Sequence, residues 1–197
     1  MVRIIAGRWR GRRLHTVPGS DVRPTADRAK QMLFDVIRDL VPDARVLDLY
    51  AGTGNLGLEA LSRGARRLVA VERAPDALAV LRRNLALLGC ADQVEVVRAE
   101  AFGYLRGAAR DFDLVFADPP YADGVESKLL ARIAPITTAG GIVVVQHDRR
   151  WVAAERSGPL RHFRRLQCGA TVLDCFAHEE AAHEEPGAPD GSLPGDI

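Results

Sequence analysis

The chain has 197 residues, 47% hydrophobic and 27% charged, with a formal net charge of +1. That length suits one domain with a sizeable core, and no run approaches the roughly 20 apolar residues of a membrane span. The opening Met1-Val2-Arg3-Ile4-Ile5-Ala6-Gly7 is too short and too quickly basic for a secretory leader, so a cytoplasmic protein is expected.

The near-neutral total conceals two charged ends. Residues 1–30 carry eight Arg or Lys against two Asp, or +6, whereas residues 178–197 carry six Asp or Glu and no Arg or Lys, or −6. The basic end suggests a polyanionic partner. Segments 2–6 and 12–17 read as a small hairpin with the basic tip Gly7-Arg8-Trp9-Arg10-Gly11. Arginine pairs bidentately with phosphate and stacks on bases, so RNA contact is expected for this extension, residues 1–22. Arg23-Pro24-Thr25 then leads into a helix, with Thr25 as expected N-cap and Ala29, Met32, Leu33, Val36, Ile37 and Leu40 at helical spacing.

From residue 45 strands and helices alternate. Strands are expected at 45–49, 67–71, 93–97, 112–117 and 141–146, and helices at 55–63, 75–88, 100–107 and 124–134. This pattern predicts an α/β fold whose parallel sheet is covered on both faces. Segments 160–167 and 170–177 have no helix between them and predict an antiparallel hairpin closing the sheet edge. The main domain is therefore 23–177. The acidic tail, 178–197, has the composition of a disordered segment.

Gly52-Thr53-Gly54-Asn55-Leu56-Gly57 follows the first of these strands and opens a helix. Glycines there allow a tight turn and let a ligand approach the backbone. Glu72, at the end of the next strand, suits a ribose hydroxyl pair. A nicotinamide-dependent oxidoreductase would show much the same loop. Asp48 favours a different cofactor: a carboxylate at the strand end suits the amino group of a methionine moiety and repels a pyrophosphate. Glu100 has two readings, an acceptor for an adenine amino group or a helix-start acid stabilised by the helix dipole.

Phe112 through Ala117 run straight into Asp118-Pro119-Pro120-Tyr121, at the same sheet edge as Asp48. Two prolines fix the backbone and lack N–H donors. The carboxylate and a preceding carbonyl are both acceptors, matched to the two hydrogens of an exocyclic amine. Asp118 can also accept the proton lost as a methyl group arrives, and Tyr121 offers a face for an unstacked base. The common pocket of Asp48 and Asp118 is the central expectation.

Cys90, Cys168 and Cys175 form no Cys-x-x-Cys pair, and the five histidines show no metal-ligand spacing. Buried thiols and no metal are expected. Cys168 as a pyrimidine-attacking nucleophile has no companion motif. His147, ending the fifth strand, either lines the site or, by preference, lies at the surface.

The chain resembles the RsmD family of bacterial methyltransferases over about residues 3–177. The resemblance rests on Arg3 through Gly7, Arg10-Gly11-Arg12, Arg23-Pro24-Thr25 with Asp27-Arg28, Asp48 through Gly54, and Leu56 through Ala65. It implies a class I, Rossmann-like methyltransferase fold with a seven-stranded sheet whose last strand is antiparallel. It further implies S-adenosyl-L-methionine as donor and N2 of guanine 966 in 16S rRNA as acceptor, within an assembled or partly assembled 30S subunit. The resemblance puts Gly52 and Gly54 against the donor and Glu72 at its ribose; together with the residue readings above, the expected cofactor set is Asp48, Ala51, Gly52, Thr53, Gly54, Glu72, Arg73, Glu100 and Ala101. Asp118, Pro119, Pro120 and Tyr121 would meet the guanine. The RNA set is Arg3, Arg8, Arg10, Arg12, Arg13, Arg23, Thr25 and Arg28. Gln146, Cys168 and Ala170 depart from the family pattern. A monomer is expected. Two readings stay open beside this one: an adenine-N6 methyltransferase acting on DNA or RNA, and a non-catalytic RNA-binding ribosome assembly factor.

Overall fold

A computed structural model describes residues 2–19, 24–108, 111–120 and 125–179. Arg23, Tyr121 and the tail from residue 180 onward lie outside these described residues. The chain begins with β1 (Val2–Arg3) and β2 (Arg13–Leu14), an antiparallel pair. This hairpin has shorter strands than the sequence predicts: Ile4 still bonds across to Gly11 and Arg12, but Ile5, Ala6 and Arg8 turn their N–H groups to a helix.

That helix belongs to a layered α/β body. Helix α1 (Pro24–Val36) precedes β3 (Arg45–Leu49), α2 (Asn55–Ser62), β4 (Arg67–Glu72), α3 (Pro75–Leu88) and β5 (Val94–Arg98). Then follow α4 (Ala101–Leu105), β6 (Phe112–Ala117), α5 (Val125–Ile133) and β7 (Thr137–His147). The chain closes with β8 (Arg156–Ser157), β9 (Leu160–Cys168) and β10 (Thr171–His178). Helix α1 opens at Pro24, so Thr25 lies inside its first turn and is not its cap. A proline at the first helical position loses no intrahelical bond and presets the backbone angle.

The eight strands β3–β10 form one sheet in the order β5-β4-β3-β6-β7-β10-β9-β8. β5, β4, β3, β6 and β7 pair in parallel, and β10 is antiparallel to both β7 and β9. The seven expected strands are present, with the two-residue β8 as an extra edge. β10, last in sequence, is inserted between β7 and β9 rather than left at the edge. β7 begins four residues before the expected position. Gly140 (φ 75°) and Gly141 read as a strand boundary in sequence but instead form an irregular register within the strand.

Alternate strand residues feed two cores, one on each face. Val46, Leu68, Leu114, Phe116 and Val144 meet α1, α2, α3 and the hairpin through Leu33, Phe34, Leu58, Leu81 and Ile4. Leu47, Val69, Val115 and Val143 meet α4 and α5 through Leu105, Leu129 and Ile133. Strands buried on both faces are continuous apolar runs, which explains the legibility of β6. No helix among the described residues is long and apolar enough to cross a membrane.

The hairpin is fastened by buried charge. Ile5 and Ala6 N–H donate to Glu59 at 2.8 and 3.0 Å, Arg8 N–H donates to Ser62 O at 2.8 Å, and Ser62 Oγ donates to Ala6 O at 2.6 Å. Glu59 is fully buried and also pairs with Lys30 at 3.2 Å and Arg63 at 2.8 Å. Gly7 (φ +81°) passes so close to α2 that a Cβ would fall 1.8 Å from Ser62 O, so only glycine fits there.

Candidate active site

The strands place two carboxylates side by side. β3 and β6 are parallel neighbours with Asp48 opposite Phe116 and Leu49 opposite Ala117, so Asp118 emerges beside the end of β3. Asp48 and Asp118 both line a cavity of about 140 Å³, together with Lys30, Tyr50, Ala51, Asn55, Gln146, Thr171 and Leu173 among others.

Asp48 is buried, and its Oδ2 accepts from Gly57 N–H at 2.9 Å. Burial raises its pKa to about 7; the Gly57 bond opposes the rise, and the charges of Asp118 and Glu72 add to it. Asp118 stands at the cavity mouth, open to water on one side and hemmed by protein on the others. Lost hydration raises it to about 6, against the bond that Gln146 Nε2 donates to its Oδ2 at 2.8 Å. Pro119 is buried and Pro120 exposed beside it, while Tyr121 lies outside the described residues.

The glycine loop is shaped by positive backbone angles at Tyr50 (φ 62°), Gly52 (φ 54°) and Gly54 (φ 89°). A Cβ at Gly54 would lie 2.7 Å from Leu81, whereas at Gly52 it would meet nothing nearer than 4.0 Å. One glycine is therefore packed and the other faces open space where a ligand can approach. Gly57 packs against Leu68 and Asp48, with no room for a side chain. Thr53 O accepts from Asn84 Nδ2 at 2.9 Å.

Glu72 and Glu100 are already engaged. Glu72 Oε2 accepts from Gly52 N–H at 2.9 Å, and its Oε1 accepts from Arg73 and Ala74 N–H at 2.8 Å each, which ties the loop to the end of β4. Glu100 precedes α4 without a side-chain capping bond and pairs instead with Arg73. Ala101 is buried at the start of that helix.

The arginines of the basic front divide. Arg3 pairs with Asp27 at 3.0 Å; Arg8 lies over the Trp9 ring at 3.9 Å and donates to Gln93. Arg10, Arg12, Arg13 and Arg28 are exposed. Thr25 lies in α1, as described above. Lys30, counted with this front by charge, is internal: its Nζ donates to Arg3 O at 2.7 Å and Asn55 Oδ1 at 2.8 Å. Burial holds its pKa below the usual lysine value, although Glu59 acts in the other direction. The sequence signal for it was a lysine within the apolar stripe of α1, matched by Glu59 inside the apolar run of α2.

His147 is fully buried, contrary to the surface preference. Its Nε2 bonds Asp174 at 2.8 Å, and His162 Nε2 meets the other oxygen at 2.9 Å. Burial alone would raise Asp174, but the two imidazoles hold it below the usual carboxylate range. Cys90 and Cys175 are buried and Cys168 half-buried, all free. Burial pushes Cys175 up to about 12.

The family model described as conserved hypothetical protein 95 matches residues 2–177. Bacillus subtilis YlbH is 35% identical over 180 residues, which are 89% of this chain and 98% of that protein. The ribosomal RNA small subunit methyltransferase D of Haemophilus influenzae is 40% identical over 123 residues, 61% of this chain and 64% of that relative. The match thus spans just under two thirds of the relative's length. The solved structure of Escherichia coli yhhF aligns with a TM-score of 0.80 at 30% identity, over 90% of this chain and 98% of that one.

Proposed function

The chain belongs to the RsmD family, and from that premise we propose that it methylates N2 of a guanine in 16S rRNA, by family likeness guanine 966, with S-adenosyl-L-methionine as donor. The observation that carries the reading is the shared cavity of Asp48 and Asp118.

The residues fit that donor. A buried carboxylate raised to about 7 is chemically suited to a cationic amino group. Gly52 leaves open space beside the loop. Asp48 and the backbone of Ala51 through Gly54 would hold the methionine end, and Glu72, Arg73, Glu100 and Ala101 the nucleoside end. When bound, the donor supplies an electrophilic methyl group on a sulfonium.

The chain's own work lies at the acceptor. An aromatic amine is a poor nucleophile because its lone pair is delocalised into the ring. Asp118 and the carbonyl preceding a proline accept the two amine hydrogens and aim the lone pair. Asp118, ionised above about pH 6, then takes the proton that the nitrogen loses. Tyr121 supports the base, and the exposed arginines of the hairpin hold the surrounding phosphates.

The test is mass-spectrometric mapping of 16S rRNA after unmodified 30S particles are incubated with the protein and S-adenosylmethionine. N2-methylguanine at one position is expected. Methyladenine, or no methylated base, would overturn the reading.

A further inference from the structure

Gln146 sits near the carboxyl end of β7, opposite Leu173 of β10, and lines the cavity with Asp118. Its Nε2 donates to Asp118 Oδ2 at 2.8 Å. An ionised carboxylate only accepts hydrogen bonds, so the amide must turn its nitrogen toward Asp118. Its carbonyl oxygen, Oε1, is then the remaining side-chain polar atom, and no other side-chain hydrogen bond engages Gln146 among the described residues. The strand beneath it is paired to β10 and buried from Val143 to Val145. His147, the next residue, is fully buried and clamped to Asp174 at 2.8 Å, and Val172 pairs with it across β10. A side chain mounted on such an element keeps its geometry better than one on a loop.

We infer that Gln146 is a specificity-determining residue that selects guanine: its Oε1 stands beside the Asp118 carboxylate as a second acceptor, and the pair reads the base edge. This rests on the proposed guanine-N2 activity. Guanine presents N1–H next to its N2 amine, so donors lie side by side and meet two adjacent acceptors. Adenine also presents an amine, but its N1 carries a lone pair. Seating adenine would set that lone pair against Oε1, leaving two acceptors face to face. Asp118 alone accepts from either amine. The amide beside it is what separates the two bases. An aliphatic side chain at 146 would keep the volume and lose the distinction.

The probe is 2-aminopurine, which keeps the N2 amine but has an unprotonated N1. Small subunits are reconstituted with 16S rRNA carrying either guanine or 2-aminopurine at the target position. Methyl transfer is then measured for the unaltered protein and for Gln146→Leu. The unaltered protein should prefer guanine by about 10- to 100-fold in kcat/KM, the range of one lost hydrogen bond with an acceptor left unmatched. Gln146→Leu should lose activity on guanine and bring the ratio to within about threefold, with affinity for S-adenosylhomocysteine unchanged.

A ratio below about threefold in the unaltered protein overturns the inference without need of any variant. A folded Gln146→Leu protein that keeps the full ratio overturns it too. Both outcomes leave guanine-N2 methylation standing, because the unaltered protein still forms N2-methylguanine. Failure to form that product on guanine-bearing subunits is instead the failure of the proposed function.

Discussion

Asp48→Asn should stabilise the ligand-free protein at alkaline pH while weakening its hold on the cofactor. The carboxyl group of Asp48 is raised from 3.8 to about 7, chiefly by burial. Between those values the folded chain keeps a proton that the unfolded chain has released. Stability therefore falls as pH rises through this window, and the loss is complete once Asp48 ionises. A shift of that size corresponds to at most about 4 kcal/mol at pH 8. Since the carboxylate borders a cavity open to water, roughly 2–4 kcal/mol is the working range. Asparagine keeps an oxygen to accept from Gly57 N–H and carries no charge to desolvate. For a chain of this size the gain amounts to a rise in Tm of roughly 5–10 °C at pH 8, shrinking to almost nothing near pH 4. Thermal melts of both proteins from pH 4 to 9 measure the difference directly, and calorimetry with S-adenosylhomocysteine should show at least about a tenfold loss of affinity. Parallel melting curves across the pH range, or a less stable variant at pH 8, would refute the idea that Asp48 is held as an unpaired buried acid.

Asp118→Ala should lower turnover by about 10²–10⁴-fold and leave S-adenosylhomocysteine binding within about threefold; near-normal turnover would remove Asp118 from the chemistry. In the unaltered enzyme kcat/KM should fall with acid below about pH 6, where Asp118 takes up a proton, and a flat profile down to pH 5 would contradict its role as base. Glu59→Gln leaves Lys30 buried without its counter-charge and should cost on the order of 3 kcal/mol, with trypsin cutting the loosened tip after Arg8 or Arg10. A change under about 1 kcal/mol in chemical denaturation would mean the pair does not anchor the hairpin. Replacing Arg10, Arg12 and Arg13 together by Ala should weaken RNA binding and reduce its salt slope by up to about three without altering the circular dichroism spectrum. Unchanged affinity would leave the hairpin without a part in substrate binding.

The elements were legible because their signals are local. β3 and β6 occupy the expected residues, as does α3, where Pro75 starts the helix and Gly89 (φ 64°) ends it. The ends of β3 and β6 are both marked by an acid after an apolar run, so the neighbourhood of Asp48 and Asp118 could be anticipated from a parallel sheet alone. Local rules failed where two signals overlapped. Gly140 and Gly141 punctuate the sequence like a boundary, yet β7 runs through them because its neighbour β6 still offers pairing partners. Thr25 has the chemistry of a cap, but the helix already begins at Pro24, whose fixed φ and missing N–H suit a first position.

The alternation of strands and helices, the glycine loop and the acceptor-bearing tetrapeptide are all readable from the linear chain, since each depends on neighbours within a few residues. Tertiary structure alone decided that Lys30 and Glu59 neutralise each other 29 residues apart, that His147 is buried against Asp174, and that Gln146 reaches Asp118. A charge inside an apolar stripe signals that a counter-ion is needed, but not which residue will come within reach of it. The energy of an ion or an amide is set by what folding brings to within about 3 Å of it, and that distance is absent until the strands are assembled.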